Sequence, residues 1–281
     1  MKKQRTRHKL PTGKCPLCLL DNRLLDHSHI IPEFAYEPFY DEKHRLRTFE
    51  GDGSTMDRRF LQKGIREYLL CGTRKGTQNG CEGKLSVWEG YAKNVIGPGA
   101  IAPESISSSS HVDLKIDYKL LKLYGMSLLW RLSVSKRPEF GIGSIGARQE
   151  ALRHALNTED PLMPDEFPFF IQAFLAPDGN FYDDWMYSPM RYDFHGSSAI
   201  SMVIGGMLYT FTVGMPADLP TELAAARPTL TGQLSIPVLP IHNFPEFEQV
   251  YIKQVQASKR HAQLRDKALT KEAPSFVALF E

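Results

Sequence analysis

All four cysteines of this 281-residue chain lie within its first 81 residues, at Cys15, Cys18, Cys71 and Cys81. Cys15 and Cys18 form a CxxC pair, in which a tight turn lets two thiolates reach one tetrahedral Zn²⁺. Nine residues separate the second pair, where roughly two to four are usual. Because this segment (72–80) is polar and glycine-rich, it can loop out without moving the sulfurs. The spacing predicts a structural zinc site with four cysteine ligands.

Two other interpretations of the cysteines stay open. They could be four ordinary reduced thiols of a cytosolic protein, or Cys15 and Cys18 could form a thioredoxin-like redox pair. A CxxC pair with one further pair and no cysteine elsewhere would be a rare coincidence. The redox interpretation also lacks the βαβ pattern expected around its CxxC. Zinc binding is therefore the prediction that we carry forward.

Charge is unevenly distributed along the chain. Residues 1–100 hold 18 Lys and Arg against 12 Asp and Glu, whereas the totals of 34 and 32 leave 16 against 20 for residues 101–281. Hydrophobic residues make up 42% of the chain and charged residues 23%, which is typical of a folded, soluble protein. The opposite charge of the two parts predicts two modules with different partners.

A turn-rich segment separates these modules. Gly97-Pro98-Gly99 is followed by Pro103 and by the serine run 107–110, with strong turn chemistry and no apolar periodicity. We therefore predict an N-terminal domain at 1–96, a linker at 97–113 and an α+β domain at 114–281. The elements expected from periodicity and turn residues are helices at 82–96, 114–134, 144–157 and 244–270, strands at 167–175 and 233–241, and a hairpin at 197–213.

Nothing in the sequence favours a membrane or a secretory route. The basic start of the chain is not followed by an apolar stretch, so it does not resemble a signal peptide. The longest charge-free stretch, 196–217, contains Gly205-Gly206 and Pro216 and alternates like the arm of a hairpin. We expect a cytoplasmic protein with no membrane partner.

Histidines lie between the two cysteine pairs, in the segment Leu24–Pro32. If this segment is a strand, His27 and His29 share one face, while Asp26 and Ser28 share the other. The order of CxxC, His-Ile-Ile-Pro and a cysteine pair leading into a helix resembles the HNH endonucleases. The resemblance covers residues 12–96 and implies a ββα-metal fold, in which a β-hairpin and a helix grip one divalent cation and a four-cysteine zinc knuckle braces the hairpin.

The resemblance assigns roles to single residues. His29 matches the histidine that activates the attacking water, as a general base. Ser28 stands where the family usually has a metal-binding carboxylate, so Asp26 or His27 is expected to supply that ligand. Glu82 replaces the final histidine and is a suitable ligand for Mg²⁺ or Mn²⁺. Two further glutamates are secondary candidates. The middle asparagine of the family motif is missing, since no asparagine occurs between Asn22 and Asn79; Glu67 is the nearest polar candidate for its place. Glu89 lies on the same helix face as Glu82, two turns further along.

Together these features predict a metal-dependent nuclease. Basic residues are expected to hold phosphates without reading sequence; the nearest candidates are Lys63, Arg66, Arg74 and Lys75. DNA is the expected substrate and RNA the alternative, with low sequence specificity. Residues 114–281 are expected to position the nuclease or to bind a regulatory protein. The resemblance also implies a role in bacterial anti-phage or restriction systems.

The departures at Ser28 and Glu82 and the missing asparagine leave two further functions open. The first is a catalytically degenerate, zinc-braced module that binds nucleic acid or a partner protein. The second is an RNase or toxin that uses the same site on RNA.

Overall fold

The computed structural model describes residues 11–40, 45–47, 60–62, 64–72, 80–108, 110–140, 142, 144–176, 178–244 and 248–249. Within these residues the chain forms four α-helices and three β-sheets. The α+β fold class predicted from the sequence is thereby confirmed.

A three-stranded antiparallel sheet holds the N-terminal segment. β1 is Thr12–Gly13, β2 is Arg23–His29, β3 is Arg45–Arg47, β4 is Phe60–Gln62 and β5 is Arg66–Cys71. β2 is the central strand between β1 and β5, while β3 and β4 form a separate hairpin. In the β2–β5 ladder His29 lies opposite Arg66 and His27 opposite Tyr68, and the register shifts at Asp26. The segment around His27 and His29 is therefore a strand, which places both histidines on one face, with a bulge at Asp26.

The helix α1 (Cys81–Ile96) follows the second cysteine pair and packs its apolar side inward. Leu85, Trp88 and Ala92 are at most 2% exposed. Since these apolar residues recur every three or four positions, they form one buried stripe. The helix predicted at 82–96 is confirmed.

The helix α2 (Tyr118–Val134) is buried along most of its length and packs against α1. Asp117 caps it, since the Asp117 Oδ1 accepts a hydrogen bond of 3.0 Å from the backbone N–H of Leu120. Gly125 lets α2 approach the following sheet, because a Cβ at this position would lie 2.2 Å from the Phe169 ring. The helix therefore connects the N-terminal part of the chain with the C-terminal sheet.

A six-stranded mixed sheet forms the C-terminal part. Its strands are β6 (His111–Lys115), β7 (Phe169–Leu175), β8 (Met186–Phe194), β9 (Ser197–Ile204), β10 (Met207–Thr212) and β11 (Gln233–Pro240), in the spatial order β6-β11-β7-β10-β9-β8. Only the β11–β7 pair is parallel among these described strands. Two more helices, α3 (Arg148–Thr158) and α4 (Thr221–Ala225), complete the described fold.

A buried lysine ties α2 to the turn before β7. Lys122 is 1% exposed. Its Nζ donates hydrogen bonds to the backbone oxygens of Glu166 at 2.8 Å and of Phe167 at 3.1 Å. Burial, together with the positive charge of Arg227, lowers the pKa of Lys122 to about 7. The buried amine is thus held by backbone acceptors rather than by an ion pair.

Several predicted boundaries are wrong. The helix expected at 114–134 begins at Tyr118, because residues 111–115 pair with β11 as strand β6. The predicted linker 97–113 consequently includes the start of a strand. The helix expected to begin at Ser144 begins at Arg148, since the Ser144 hydroxyl accepts a hydrogen bond from Gly146 N and closes a turn instead.

Two strands of the sheet also differ from the prediction. Pro237 does not break β11, because it lies where the strand changes its partner from β6 to β7. β8, which contains Pro189, was not predicted at all; it lies at the sheet edge, where a proline is tolerated. The hairpin predicted at 197–213 is confirmed as β9 and β10.

One apolar core extends across the predicted domain boundary. It includes Trp88 of α1, Trp130 of α2 and Phe169 of β7. The parts before and after the predicted linker therefore bury their apolar surfaces against each other.

The last predicted helix, at 244–270, lies outside the described residues except at 244 and 248–249. Among the helices that the structure describes, none combines the length and the apolar character needed to cross a bilayer.

Candidate metal sites

The four cysteines meet in one cluster. The sulfurs of Cys15, Cys18, Cys71 and Cys81 all lie within 4.8 Å of one another, and the group could hold a metal ion. The Cys18 and Cys71 sulfurs are 3.9 Å apart. Two sulfurs on a tetrahedral Zn²⁺ would be separated by about 3.8 Å, given Zn–S bonds of about 2.3 Å. The donor set and its spacing therefore fit zinc.

Two local features bring the sulfurs together. The knuckle turn closes where Leu19 N donates to the Cys15 carbonyl at 2.8 Å. On the other side, Gly72 and Gly80 lie in contact across the segment 73–79: a Cβ on Gly80 would be 2.3 Å from the Cys71 carbonyl oxygen and 2.4 Å from that of Gly72. Only a residue without a side chain permits this approach. The glycines thus hold Cys71 and Cys81 close together despite the nine residues between them.

The thiols interact strongly with one another. A hydrogen bond with Cys81 lowers the pKa of Cys15 to about 4, while the same contact and burial raise the pKa of Cys81. Burial also raises the pKa of Cys18. Without a cation the cluster therefore favours one thiolate among protonated neighbours, because several adjacent thiolates repel one another. A bound cation would offset that repulsion.

Ser28 and Glu82, the two positions at which the HNH resemblance places metal ligands, are in contact. The Ser28 hydroxyl donates a hydrogen bond of 2.6 Å to the Glu82 Oε2 and accepts one of 3.2 Å from the backbone N–H of Leu70. Ser28 is 1% exposed. Burial raises the pKa of Glu82; the Ser28 hydrogen bond and the charge of Arg131 lower it, while the charges of Glu89 and Asp26 raise it. The β-hairpin and α1 therefore meet at a contact between a hydroxyl and a carboxylate.

Asp26 and His27, the alternative ligands, lie in different surroundings. The Asp26 carboxylate packs on Gly72, where a Cβ would come within 1.9 Å of the Asp26 Oδ2, and burial raises its pKa. The negative charge of Asp26 acts on Glu82. His27 is exposed and stacks on Tyr68, with ring centroids 4.6 Å apart. Asp26, rather than His27, is thus the residue near the Ser28–Glu82 pair.

His29 is the last residue of β2 and is half-buried. Strand alternation directs its side chain to the face opposite Ser28, and its ring centroid lies 6.3 Å from that of Tyr36. The backbone oxygen of His29 accepts a hydrogen bond of 2.7 Å from the Arg131 Nη1. The histidine is therefore held at the strand end by a residue of α2.

The two secondary glutamates have structural partners. The Glu89 carboxylate pairs with the Arg131 Nη1 at 2.5 Å. The Glu67 Oε2 accepts hydrogen bonds from the Ser135 hydroxyl at 2.9 Å and from the Lys136 backbone N–H at 3.1 Å, just beyond the C-terminus of α2. Both side chains connect the N-terminal part with α2. Glu67 lies directly opposite Ser28 in the β2–β5 ladder, but its carboxylate is engaged by Ser135 and Lys136.

Of the residues expected to hold phosphates, Arg66 lies on β5 directly opposite His29. Lys63, Arg74 and Lys75 fall outside the described residues. In the described parts of the chain, the four cysteines are the only group of three or more His, Cys, Asp or Glu side chains close enough to share a metal ion. The Ser28–Glu82 pair would therefore offer a cation few protein ligands.

Sequence reasoning did not identify Arg131 as part of this region. It lies 102 positions from His29 and 42 from Glu89, inside a helix that has buried residues on every side. A charged residue among such apolar neighbours was the available signal, because an arginine that is fully buried almost always has a partner.

Comparison of the chain with protein-family models, with curated proteins and with solved structures finds no match.

Proposed function

We propose that the N-terminal part of this chain is a zinc-braced, HNH-type nuclease module that hydrolyses DNA phosphodiester bonds with low sequence specificity and needs Mg²⁺ or Mn²⁺. The observation that carries the proposal is the 2.6 Å contact between Ser28 and Glu82. Ser28 is the residue directly before His29. It joins the hairpin and the helix at the two positions that the resemblance assigns to the metal.

Zinc is the cation that we assign to the four cysteines. Four thiolates at these distances match its tetrahedral preference, and the close contact between Gly72 and Gly80 brings Cys71 and Cys81 near each other. Its proposed role is structural, since four cysteine ligands would complete its tetrahedral coordination and leave no position for water or substrate. A zinc ion there would join β5 and α1 to the knuckle.

The Ser28–Glu82 pair fits a hard divalent cation. Adjacent oxygens on an octahedral Mg²⁺ are about 3 Å apart, given Mg–O distances of about 2.1 Å, and the Ser28 and Glu82 oxygens are 2.6 Å apart. The Ser28 hydroxyl donates one hydrogen bond and accepts one, which leaves one lone pair. Asp26 adds negative charge nearby. A cation held there would offset the charge that develops on the phosphate and the leaving oxygen.

His29 is the proposed general base. A neutral imidazole can accept a proton from water as the water attacks phosphorus. In-line displacement places the attacking and leaving oxygens on opposite sides of the phosphorus. Ser28 and His29 project from opposite faces of one strand end, so a phosphate at that end would have the base on one side and the Ser28–Glu82 pair on the other.

A nicking assay tests the proposal. The full chain is incubated with supercoiled plasmid and Mg²⁺ or Mn²⁺, and His29→Ala and Glu82→Gln are compared with His154→Ala, an exposed histidine on α3. We expect nicking by the unaltered chain and by His154→Ala, and none by the other two. Zinc content and thermal unfolding should match in all four proteins. Undiminished nicking by His29→Ala would disprove its role as the base.

A catalytically degenerate module is the second candidate, and one observation favours it. A hydroxyl stands at position 28 in place of a carboxylate, and burial favours the protonated form of Glu82, so the pair is less anionic than two carboxylates. In that case DNA or RNA would bind without turnover under every divalent ion. Turnover of RNA alone in the same assay would support the RNase alternative.

A further inference from the structure

An exposed aromatic pair stands on the outer face of the N-terminal hairpin. His27 and Tyr68 lie directly opposite each other on β2 and β5. Their rings stack with centroids 4.6 Å apart and an interplanar angle of 21°. Tyr68 is 46% exposed. In the described part of the chain every other Phe, Tyr and Trp is buried or half-buried.

Exposure of such a large ring calls for an explanation. The chain buries its other described aromatics in the apolar core or covers them partly. One face of the Tyr68 ring stacks on His27. Because the side chain is 46% exposed, part of the ring surface remains open to solvent. An aromatic ring left open in this way can stack a further flat ring.

Two arginines lie near the pair. Burial lowers the pKa of His27, and the charges of Arg66 and Arg137 lower it further, which places both guanidinium groups within electrostatic range of the imidazole. Lys136, next to Arg137, is exposed. The surroundings therefore suit a ligand that carries both flat rings and negative charge.

The pair also shares its face with the proposed base. His27 and His29 are two residues apart on β2, and Tyr68 and Arg66 are two residues apart on β5. Residues at this spacing lie on the same side of a strand. The outer face thus presents a stacking pair, a guanidinium and the His29 imidazole along one hairpin.

From this arrangement we infer that the outer face of β2 and β5 binds single-stranded DNA, with a base stacked on Tyr68 and the backbone held by Arg66 and Arg137. Aromatic side chains bind unpaired bases without regard to sequence. Bases within a duplex are already stacked on each other, so this surface selects a single strand or a locally melted one. The inference rests on the proposed function, because it names the form of DNA that would reach His29.

Fluorescence anisotropy with a labelled oligothymidylate tests the inference. It is measured on the full chain without added divalent metal, so that no cleavage is required. We expect Tyr68→Ala to weaken binding about 5- to 150-fold, which corresponds to the loss of one stacked base. Tyr68→Phe, which keeps the ring, should bind like the unaltered chain. Leu230→Ala is the control, because Leu230 is also exposed, at 59%, and lies in the turn before β11.

Competition identifies the preferred nucleic acid. The same oligothymidylate annealed to its complement should compete more weakly than the free strand. Equal competition by the duplex, or unchanged binding by Tyr68→Ala, would overturn the inference while leaving plasmid nicking through His29 untouched. Stronger competition by oligouridylate than by oligothymidylate would assign the surface to RNA and would also overturn it.

If the unaltered chain does not nick plasmid but binds the oligothymidylate through Tyr68, only the proposed function is contradicted. Thermal unfolding and zinc content of each Tyr68 variant control for its folding. Because the Tyr68 ring lies at the surface, both substitutions should leave these two properties unchanged.

Discussion

The Arg131 guanidinium and the Glu89 carboxylate form an ion pair of 2.5 Å between α2 and α1, and their side chains are only 2% and 20% exposed. The same Nη1 donates to the His29 backbone oxygen. One buried cation therefore connects the C-terminal part of the chain with the helix and the strand that carry the candidate site.

Arg131→Met should destabilise the protein strongly. Removal of the guanidinium leaves the Glu89 carboxylate without its partner, which typically costs about 3–5 kcal/mol. Urea unfolding should detect this loss, and the double variant Arg131→Met/Glu89→Gln should recover part of it. Lys93→Met breaks the exposed Lys93–Glu37 pair, whose side chains are each 47% exposed, and should cost less than about 1 kcal/mol. Equal losses for the two single variants would contradict the buried pairing.

Ser28→Asp should couple stability to Mg²⁺. The new carboxylate would face Glu82, so without metal the two charges repel and the melting temperature falls. A divalent cation offsets the repulsion, so added Mg²⁺ should raise the melting temperature of Ser28→Asp more than that of the unaltered chain. Ser86→Asp, on the exposed side of α1, is the control. If Mg²⁺ shifts all three proteins equally, no cation binds between positions 28 and 82.

Stability should depend on the protonation of Lys122. Its pKa is about 7 in the folded protein against an ordinary value of 10.5, so between these values the unfolded chain binds more protons. Raising the pH through this window therefore favours folding, by up to about 1.4 kcal/mol per pH unit. Lys122→Met should lack this contribution, whereas Lys119→Met, exposed on the same helix, should keep it. Parallel pH profiles of unfolding free energy for both variants would argue against a lowered pKa.

Cys71→Ser should release zinc. Elemental analysis of the unaltered chain should find a single zinc ion, and the variant should contain none, because its hydroxyl is a poor substitute for a thiolate. A chelator should destabilise the unaltered chain toward unfolding and leave the variant unaffected. Zinc retained in full by Cys71→Ser would exclude that sulfur from the ligands.

The elements that the sequence predicts well are those with a local signal. α1 follows from the helical spacing of Leu85, Trp88 and Ala92, and the cysteine cluster from the CxxC pair. The true start of α2 was also signalled locally, by Asp117 as a capping residue. The predicted helix began too early, at residue 114, because residues 111–115 form a strand only by pairing with β11. That strand is more than 100 residues away in sequence.

Contacts between distant segments explain the rest. No periodicity links Glu89 to Arg131 or Glu67 to Ser135, since each pair forms only when α2 packs on the N-terminal part. The Ser28–Glu82 contact was anticipated only as two separate positions of a motif. The exposed His27–Tyr68 pair was not predicted, because the exposure of a single tyrosine depends on which other segments cover it.

The contact between Gly72 and Gly80 has a consequence for the history of this chain. Two positions in contact can be joined by connections of different length at little extra entropic cost. Insertions or exchanges between these two glycines would leave the four-cysteine cluster intact. This position is therefore suited to acquiring new binding specificities, and in the laboratory to carrying a reporter peptide beside the site without rebuilding it.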